Sequence, residues 1–144
     1  MTFKQDVLKR VIVVNDLKIK KIQEVIDSTD YWDCKVLNLN VMYFGDCLTL
    51  YIEDNETYCW KMQFLSCYSM CYITDAIWRN TPQNVKDMKK GQLGYYCQDI
   101  SVLESEYDDF YKFKLDLSIM SIEVVCKEIK VKKELTDNII WFWK

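Results

Sequence analysis

The sequence predicts an α+β fold with an antiparallel, mostly meander sheet of about seven strands and one N-terminal helix. Two observations predict it. Apolar residues change from helical spacing to strict alternation at Asp30. Polar turn-forming clusters such as Gly45-Asp46 and Asp54-Asn55-Glu56 then separate the alternating segments. The length of 144 residues fits a single domain, residues 1–144, that is large enough for its own hydrophobic core.

The helix is predicted from Asp16, which can act as its N-cap, to about Ser28. One face of this helix is apolar and consists mostly of Leu17, Ile19, Ile22, Val25 and Ile26. The other face is polar and consists of Lys18, Lys20, Lys21, Gln23 and Glu24. Residues 1–14 fit either a helical stripe or a short buried strand.

Alternating segments predict the strands, and Leu37 and Leu39 are expected on the same face of the first one. The predicted strands cover residues 32–43, 47–53, 58–65, 67–73, 95–103, 110–117 and 119–132. The apolar phase of the last strand slips, which predicts a bulge or bend near Lys127. The apolar tail 139–143 is expected to dock on the domain, because an exposed tail of this kind would aggregate.

Residues 74–92 interrupt the sheet and predict a short polar helix or a long loop. Thr81 and Pro82 have the character of an N-cap and a first helical residue, and Gly91 is placed to end the helix. This exposed segment, around Trp78 and Arg79, is a natural second place for partner contacts.

Composition limits the classes of function. The formal net charge is −3 and the pI is about 5.0, which disfavours nucleic acid as a partner because phosphate binding needs clustered positive charge. No apolar run is long enough for a membrane helix and no signal-peptide pattern is present, so a cytoplasmic protein without membrane contact is expected. The odd number of seven cysteines then predicts reduced thiols that pack as small apolar residues.

The absence of histidine removes the commonest general base, the usual activator of Ser or Cys nucleophiles and imidazole metal sites. Acid–base chemistry would have to use Asp99 with the carboxylates of residues 104–109, which the pattern places in a solvated turn. Cys34 is a candidate nucleophile without a cationic neighbour on its own face. The stripe Tyr58, Trp60, Met62 and Phe64 fits core packing better than base stacking. We therefore predict no enzyme activity, no cofactor and no metal.

The order of these segments resembles small bacterial immunity proteins of polymorphic-toxin systems over about residues 14–73. The resemblance rests on a helix that leads into Tyr31-Trp32-Asp33-Cys34, then Gly45-Asp46, then the strands Leu48–Ile52 and Trp60–Phe64. The histidine that these families often carry between the Trp and the Asp is absent here. The resemblance implies an antidote that binds a cognate toxin, and it transfers no catalytic residues.

A protein partner, such as a basic toxin domain, is predicted to bind at acidic hairpin tips that carry tyrosines, since Tyr is a common interface anchor. The predicted partner-binding residues are Asp54, Glu56, Tyr58, Glu104, Glu106, Tyr107, Asp108 and Asp109. A structural or regulatory interaction module with another partner and a carboxylate-based enzyme are the alternatives.

Overall fold

The computed structural model describes residues 16–75 and 84–144, in which a helix and seven antiparallel strands confirm the predicted α+β fold. Helix α1 covers residues 16–27. The strands are β1 Cys34–Met42, β2 Cys47–Glu53, β3 Tyr58–Thr74, β4 Tyr96–Cys97, β5 Asp99–Glu104, β6 Tyr111–Asp116 and β7 Met120–Leu135. No helix in these two ranges has the length and apolar content needed to cross a membrane.

The sheet consists of two meanders joined at their long strands. Its order is β4-β1-β2-β3-β7-β6-β5, so β1-β2-β3 and β5-β6-β7 are each consecutive, and β3 pairs with β7 in the middle. Strands β4 and β5 lie at opposite edges of this order, yet only Gln98 separates them along the chain. The sheet must therefore curl until one continuous segment reaches both edges.

Helix α1 contributes to the main core and also covers the outer edge of β5. Ile26 is fully buried with sheet residues such as Leu50 and Phe64. The Gln23 amide donates to the Ile100 carbonyl oxygen (2.8 Å) and accepts from the Val102 backbone N–H (2.9 Å). It thus pairs with β5 as a neighbouring strand would, and it protects an edge that could otherwise pair with another chain.

The predicted faces of α1 are partly wrong for this reason. Gln23 was expected on the solvent side, but the open hydrogen-bonding groups of β5 hold it at the sheet. Leu17 and Val25, expected in the core, are exposed. Asp16 already lies within the helix, and the residues before it lie outside the described range.

Tyr31 strengthens the same contact just after the helix. Its hydroxyl accepts from the Ile100 backbone N–H at 2.8 Å, and its ring is buried. Burial raises the pKa of Tyr31 to about 12. The helix and β5 therefore share a fixed polar connection beside the core.

A second core lies apart from α1 and includes the C-terminal tail. It contains Leu37, Cys59, Met88, Leu93, Trp141 and Trp143. The Trp143 indole N–H donates to the Leu37 carbonyl oxygen at 2.9 Å, and the rings of Trp141 and Trp143 stack at 5.1 Å. The prediction that the tail docks on the domain is confirmed.

Two register shifts explain where the strand predictions went wrong. The β1–β2 register shifts between Val36 and Asn38, so Leu37 joins the tryptophan core while Leu39 packs against the main core. The expectation that both leucines share a face is therefore wrong. The irregularity predicted near Lys127 is present beside it as a bulge in the partner strand: β3 carries Tyr68 as an extra residue opposite Cys126 and Val125 of β7.

Other predicted boundaries also change. The segments 58–65 and 67–73 form one strand, β3, and the segment 95–103 is split at Gln98 into β4 and β5. Residues 84–92 contain two short 3₁₀ turns, Val85–Asp87 and Lys90–Gln92, rather than a helix ending at Gly91. Residues 1–14, the Thr81-Pro82 helix start and the Trp78-Arg79 contact site lie outside the described ranges.

Candidate protein-binding surface

The β5–β6 hairpin loop presents unpaired negative charge to solvent. Its carboxylates are those of Glu104, Glu106, Asp108 and Asp109, and all four residues are exposed. None of them forms an ion pair with another described residue. Inside the loop, the Ser105 hydroxyl lies 2.8 Å from the carbonyl oxygens of both Tyr107 and Phe110, which fixes the turn. The charges are thus held outward on an ordered support.

An exposed aromatic cluster adjoins this loop. The Tyr68 ring centroid lies 4.6 Å from that of Tyr107 and 5.8 Å from that of Phe110. A side-chain hydrogen bond with Tyr68 raises the pKa of Tyr107. Tyr68 is the extra residue of the β3 bulge, and a bulge of this kind re-aims a side chain out of the strand pattern. This bulge directs Tyr68 toward the acidic loop.

The β1–β2 turn adds two more exposed aromatic residues. Tyr43, Phe44 and Gly45 have φ angles of 55°, 56° and 91°, a run of left-handed conformations that is strained for the two aromatic residues. Tyr43 is 75% exposed and Phe44 is fully exposed. A shallow depression lies between this turn and residues 67–70 of β3. Tyr68 lines it, so the turn and the acidic loop belong to one surface.

We call this the aromatic–acidic surface. It comprises Tyr43, Phe44, Asp46, Tyr68, Glu104, Glu106, Tyr107, Asp108, Asp109 and Phe110.

The second predicted acidic tip, between β2 and β3, has a different environment. The Asp54 carboxylate pairs with the Lys133 ammonium at 3.1 Å. The same ammonium lies 5.1 Å from the Tyr58 ring centroid and 5.3 Å from that of Trp60. Glu56 is exposed beside them. Part of this tip's charge and both aromatic rings are therefore already engaged within the chain.

The structure separates the two predicted groups. Tyr58 pairs with Leu135 of β7, whereas Tyr111, at the base of the acidic loop, pairs with Cys126. Their partners on β7 are thus nine positions apart, which is roughly 30 Å along a strand. Glu104, Glu106, Tyr107, Asp108 and Asp109 lie together, while Asp54, Glu56 and Tyr58 form a separate site.

Sequence reasoning missed the aromatic half of the surface. Tyr43 was placed on the inward face of β1, but the strand ends at Met42 and the left-handed turn directs Tyr43 and Phe44 outward. Tyr68 follows Cys67 in β3. That Tyr68 is an extra residue is visible only from the pairing of β3 with β7, where the register shifts between Cys67 and Ser69. An aromatic pair directly before Gly45-Asp46 was the available signal for the first two.

The groups considered for catalysis lack an activating environment. Burial, reinforced by the Asp30 carboxylate, raises the pKa of Cys34, which keeps it a protonated thiol. A hydrogen bond with Cys126 lowers the pKa of Cys67, which was not a predicted candidate, and its side chain packs against the main core. Asp99 is exposed, like the acidic loop.

A cavity of about 280 Å³ opens beside β1 and is lined by apolar groups such as Val36, Leu117 and Met120, without any carboxylate or thiol among its described residues. Over residues 16–75 and 84–144, no three His, Cys, Asp or Glu side chains converge to hold a metal ion. All seven cysteines are free thiols.

Comparison with known proteins identifies the family. The chain is similar to an uncharacterized protein from Neisseria gonorrhoeae of known crystal structure, with a TM-score of 0.51 and 11% sequence identity, covering 71% of this chain and 92% of that chain. At this identity the similarity concerns the fold alone. No curated protein matches the chain. The family model of immunity protein PIM7 matches residues 18–133, most of the sequence, so the chain belongs to this family of immunity proteins.

Proposed function

We propose that this protein is an immunity protein that binds a cognate bacterial toxin directly and neutralises it without chemistry of its own. The observation that carries the proposal is the family match over residues 18–133. An immunity protein acts on a protein partner, and a direct antidote needs a surface for that partner. We place its action in the cytoplasm, where an intracellular toxin would have its target.

The acidic loop supports a partner of positive charge. Its four carboxylates, on Glu104, Glu106, Asp108 and Asp109, are exposed and form no ion pair with any described residue. A concentrated negative patch steers a basic partner and raises its association rate. Tyr107 lies among these charges, and its exposed ring offers contact area with few rotatable bonds. The toxin that fits this description has a basic binding surface.

The test is a neutralisation experiment with a toxin domain encoded by a gene beside the one for this protein, and its first step is to identify that gene. Cells that express the toxin domain alone should stop growing, and cells that also express this protein should grow. The purified proteins should form a complex of fixed stoichiometry. An unrelated toxin domain serves as the control and should remain toxic. Persistent toxicity despite soluble immunity protein, or the absence of a complex, would contradict the proposal.

A further inference from the structure

We infer that Phe44 and Tyr68 are the apolar anchors of the toxin interface, with Phe44 entering an apolar pocket that Lys and Arg residues surround on the toxin. This inference rests on the proposed function and deepens it. It concerns residues of the aromatic–acidic surface that lie outside the acidic loop. The inferred partner is a protein surface that is apolar in the centre and basic at the rim.

Phe44 is presented to solvent on a turn whose backbone is strained. Two consecutive aromatic residues, Tyr43 and Phe44, adopt left-handed backbone conformations, which L-residues with bulky side chains rarely do. Among the described aromatic residues, no other ring pairs with the Phe44 ring. The backbone conformation closes the β1–β2 hairpin, where the Asp46 backbone N–H donates to the Tyr43 carbonyl oxygen at 3.1 Å. The fully exposed Phe44 side chain is not needed for that closure, and a strained aromatic residue held in solvent is typical of a binding site.

The turn that carries Phe44 is continuous with Tyr68 on the surface. The depression beside the turn is lined by Phe44 on one side and by Tyr68 and Met70 on the other. Tyr68 is 59% exposed and is in ring contact with Tyr107. Aromatic side chains near the centre of an interface supply a large share of its binding energy. Phe44 and Tyr68 thus flank the recess that a partner side chain can enter.

The charge around the aromatic residues favours a basic partner. Asp46 lies on the turn side of the recess and the four loop carboxylates lie on the Tyr107 side, so negative groups border the aromatic residues. Lys127, 5.3 Å from the Phe110 ring centroid, is a cation at this border. Lys and Arg of a partner can pair with the carboxylates, and Arg can also stack on the tyrosine rings.

The same charge argues against a second copy of this chain as the occupant. A symmetric dimer through the aromatic–acidic surface would place like charges opposite each other, because both subunits would use the same patch. Like-charge contacts of this kind disfavour a partner strongly. A basic protein partner removes this repulsion.

The experiment compares Phe44→Ala and Tyr68→Ala with wild-type protein for binding to the purified neighbouring toxin domain. Each change should raise the Kd by about 30-fold or more, which is the loss of affinity expected when a hot-spot side chain is truncated. Ile140→Ala is the matched control, because Ile140 is equally exposed but lies on the C-terminal tail, and its Kd should equal that of wild type. Urea unfolding midpoints of all variants verify that each is folded.

The outcomes separate this inference from the proposed function. Wild-type protein that fails to bind or neutralise the toxin overturns the proposed function. Wild-type protein that binds, with Phe44→Ala and Tyr68→Ala binding equally well, overturns the anchor assignment alone. A wild-type dimer that Phe44→Ala converts to a monomer, seen by light scattering, would assign the surface to a second copy and would also overturn it.

Discussion

Two hairpin tips of this protein have nearly the same composition but very different surroundings. The β2–β3 tip carries Asp54, Glu56 and Tyr58, and Lys133 of β7 pairs with Asp54 and covers the Tyr58 ring. The β5–β6 loop carries four carboxylates and Tyr107, and no described cation pairs with those carboxylates. An acidic turn therefore becomes a candidate binding site only when its cross-strand neighbours leave its charge unpaired.

The aromatic residues show the same contrast on a larger scale. Trp141 and Trp143 stack on each other, are buried, and each donates its indole N–H to a backbone carbonyl. Tyr68 and Tyr107 also contact each other but remain half-exposed. We expect the tryptophan pair to determine stability and the tyrosine pair to determine binding. Mutations in the two regions should therefore change different measurements.

The largest expected effect is on stability, from Trp143→Ala. The change leaves a cavity in the second core and removes the hydrogen bond to Leu37, so the free energy of unfolding should fall by about 3–5 kcal/mol. Urea denaturation measures it, with Phe142→Ala as the control, because that neighbouring ring is 41% exposed. A loss for Trp143→Ala no larger than the control would show that the tail is not part of the core.

The next largest effect is on the association rate, and charge reversal at each of the two tips compares them directly. Glu106→Lys with Asp108→Lys should slow association with a basic toxin domain by about 10-fold at low salt, because steering charge becomes repulsive. It should also flatten the dependence of the rate on salt. Asp54→Lys with Glu56→Lys changes the net charge equally and is the matched control. Equal slowing by the two double variants would mean that only net charge matters, which would end the distinction between the tips.

The smallest expected effect is a gain in stability. Asn tolerates the left-handed conformation at Phe44 better than Phe does, so Phe44→Asn should raise the free energy of unfolding by about 0.5–1 kcal/mol. The same variant should bind the toxin domain more weakly. Phe44→Leu, which keeps an apolar side chain without relieving the backbone, is the control for stability. A destabilised Phe44→Asn would show that the turn is not strained in the free protein.

Periodicity was sufficient to predict the architecture. The change at Asp30 located the end of α1 and the start of the sheet, and the β2 boundaries agree with the structure, because each strand alternates around one buried face. Periodicity did not predict the irregular positions. The shift at Leu37 and the extra Tyr68 depend on pairing with other strands, which a single segment does not encode. Gln23 was misplaced for the same reason, since its partner is the edge of β5.

The candidate site was predictable only in part. The acidic loop is visible as a run of charge between two alternating segments, and Glu104, Glu106, Tyr107, Asp108 and Asp109 do lie together. The exposure of Phe44 requires the backbone angles of the turn, and the contact of Tyr68 with Tyr107 requires the sheet order that places β3 beside β7 and β7 beside β6. Charge is local in sequence, whereas this aromatic surface is assembled from three distant segments.

Hydrogen–deuterium exchange of this protein with and without the purified neighbouring toxin domain locates the toxin-binding surface directly. We predict that the toxin slows exchange in residues 42–46, 66–70 and 104–110, and leaves residues 54–58 and 139–143 unchanged. Protection at the β2–β3 tip or the tryptophan tail, with none at the aromatic–acidic surface, would contradict the account.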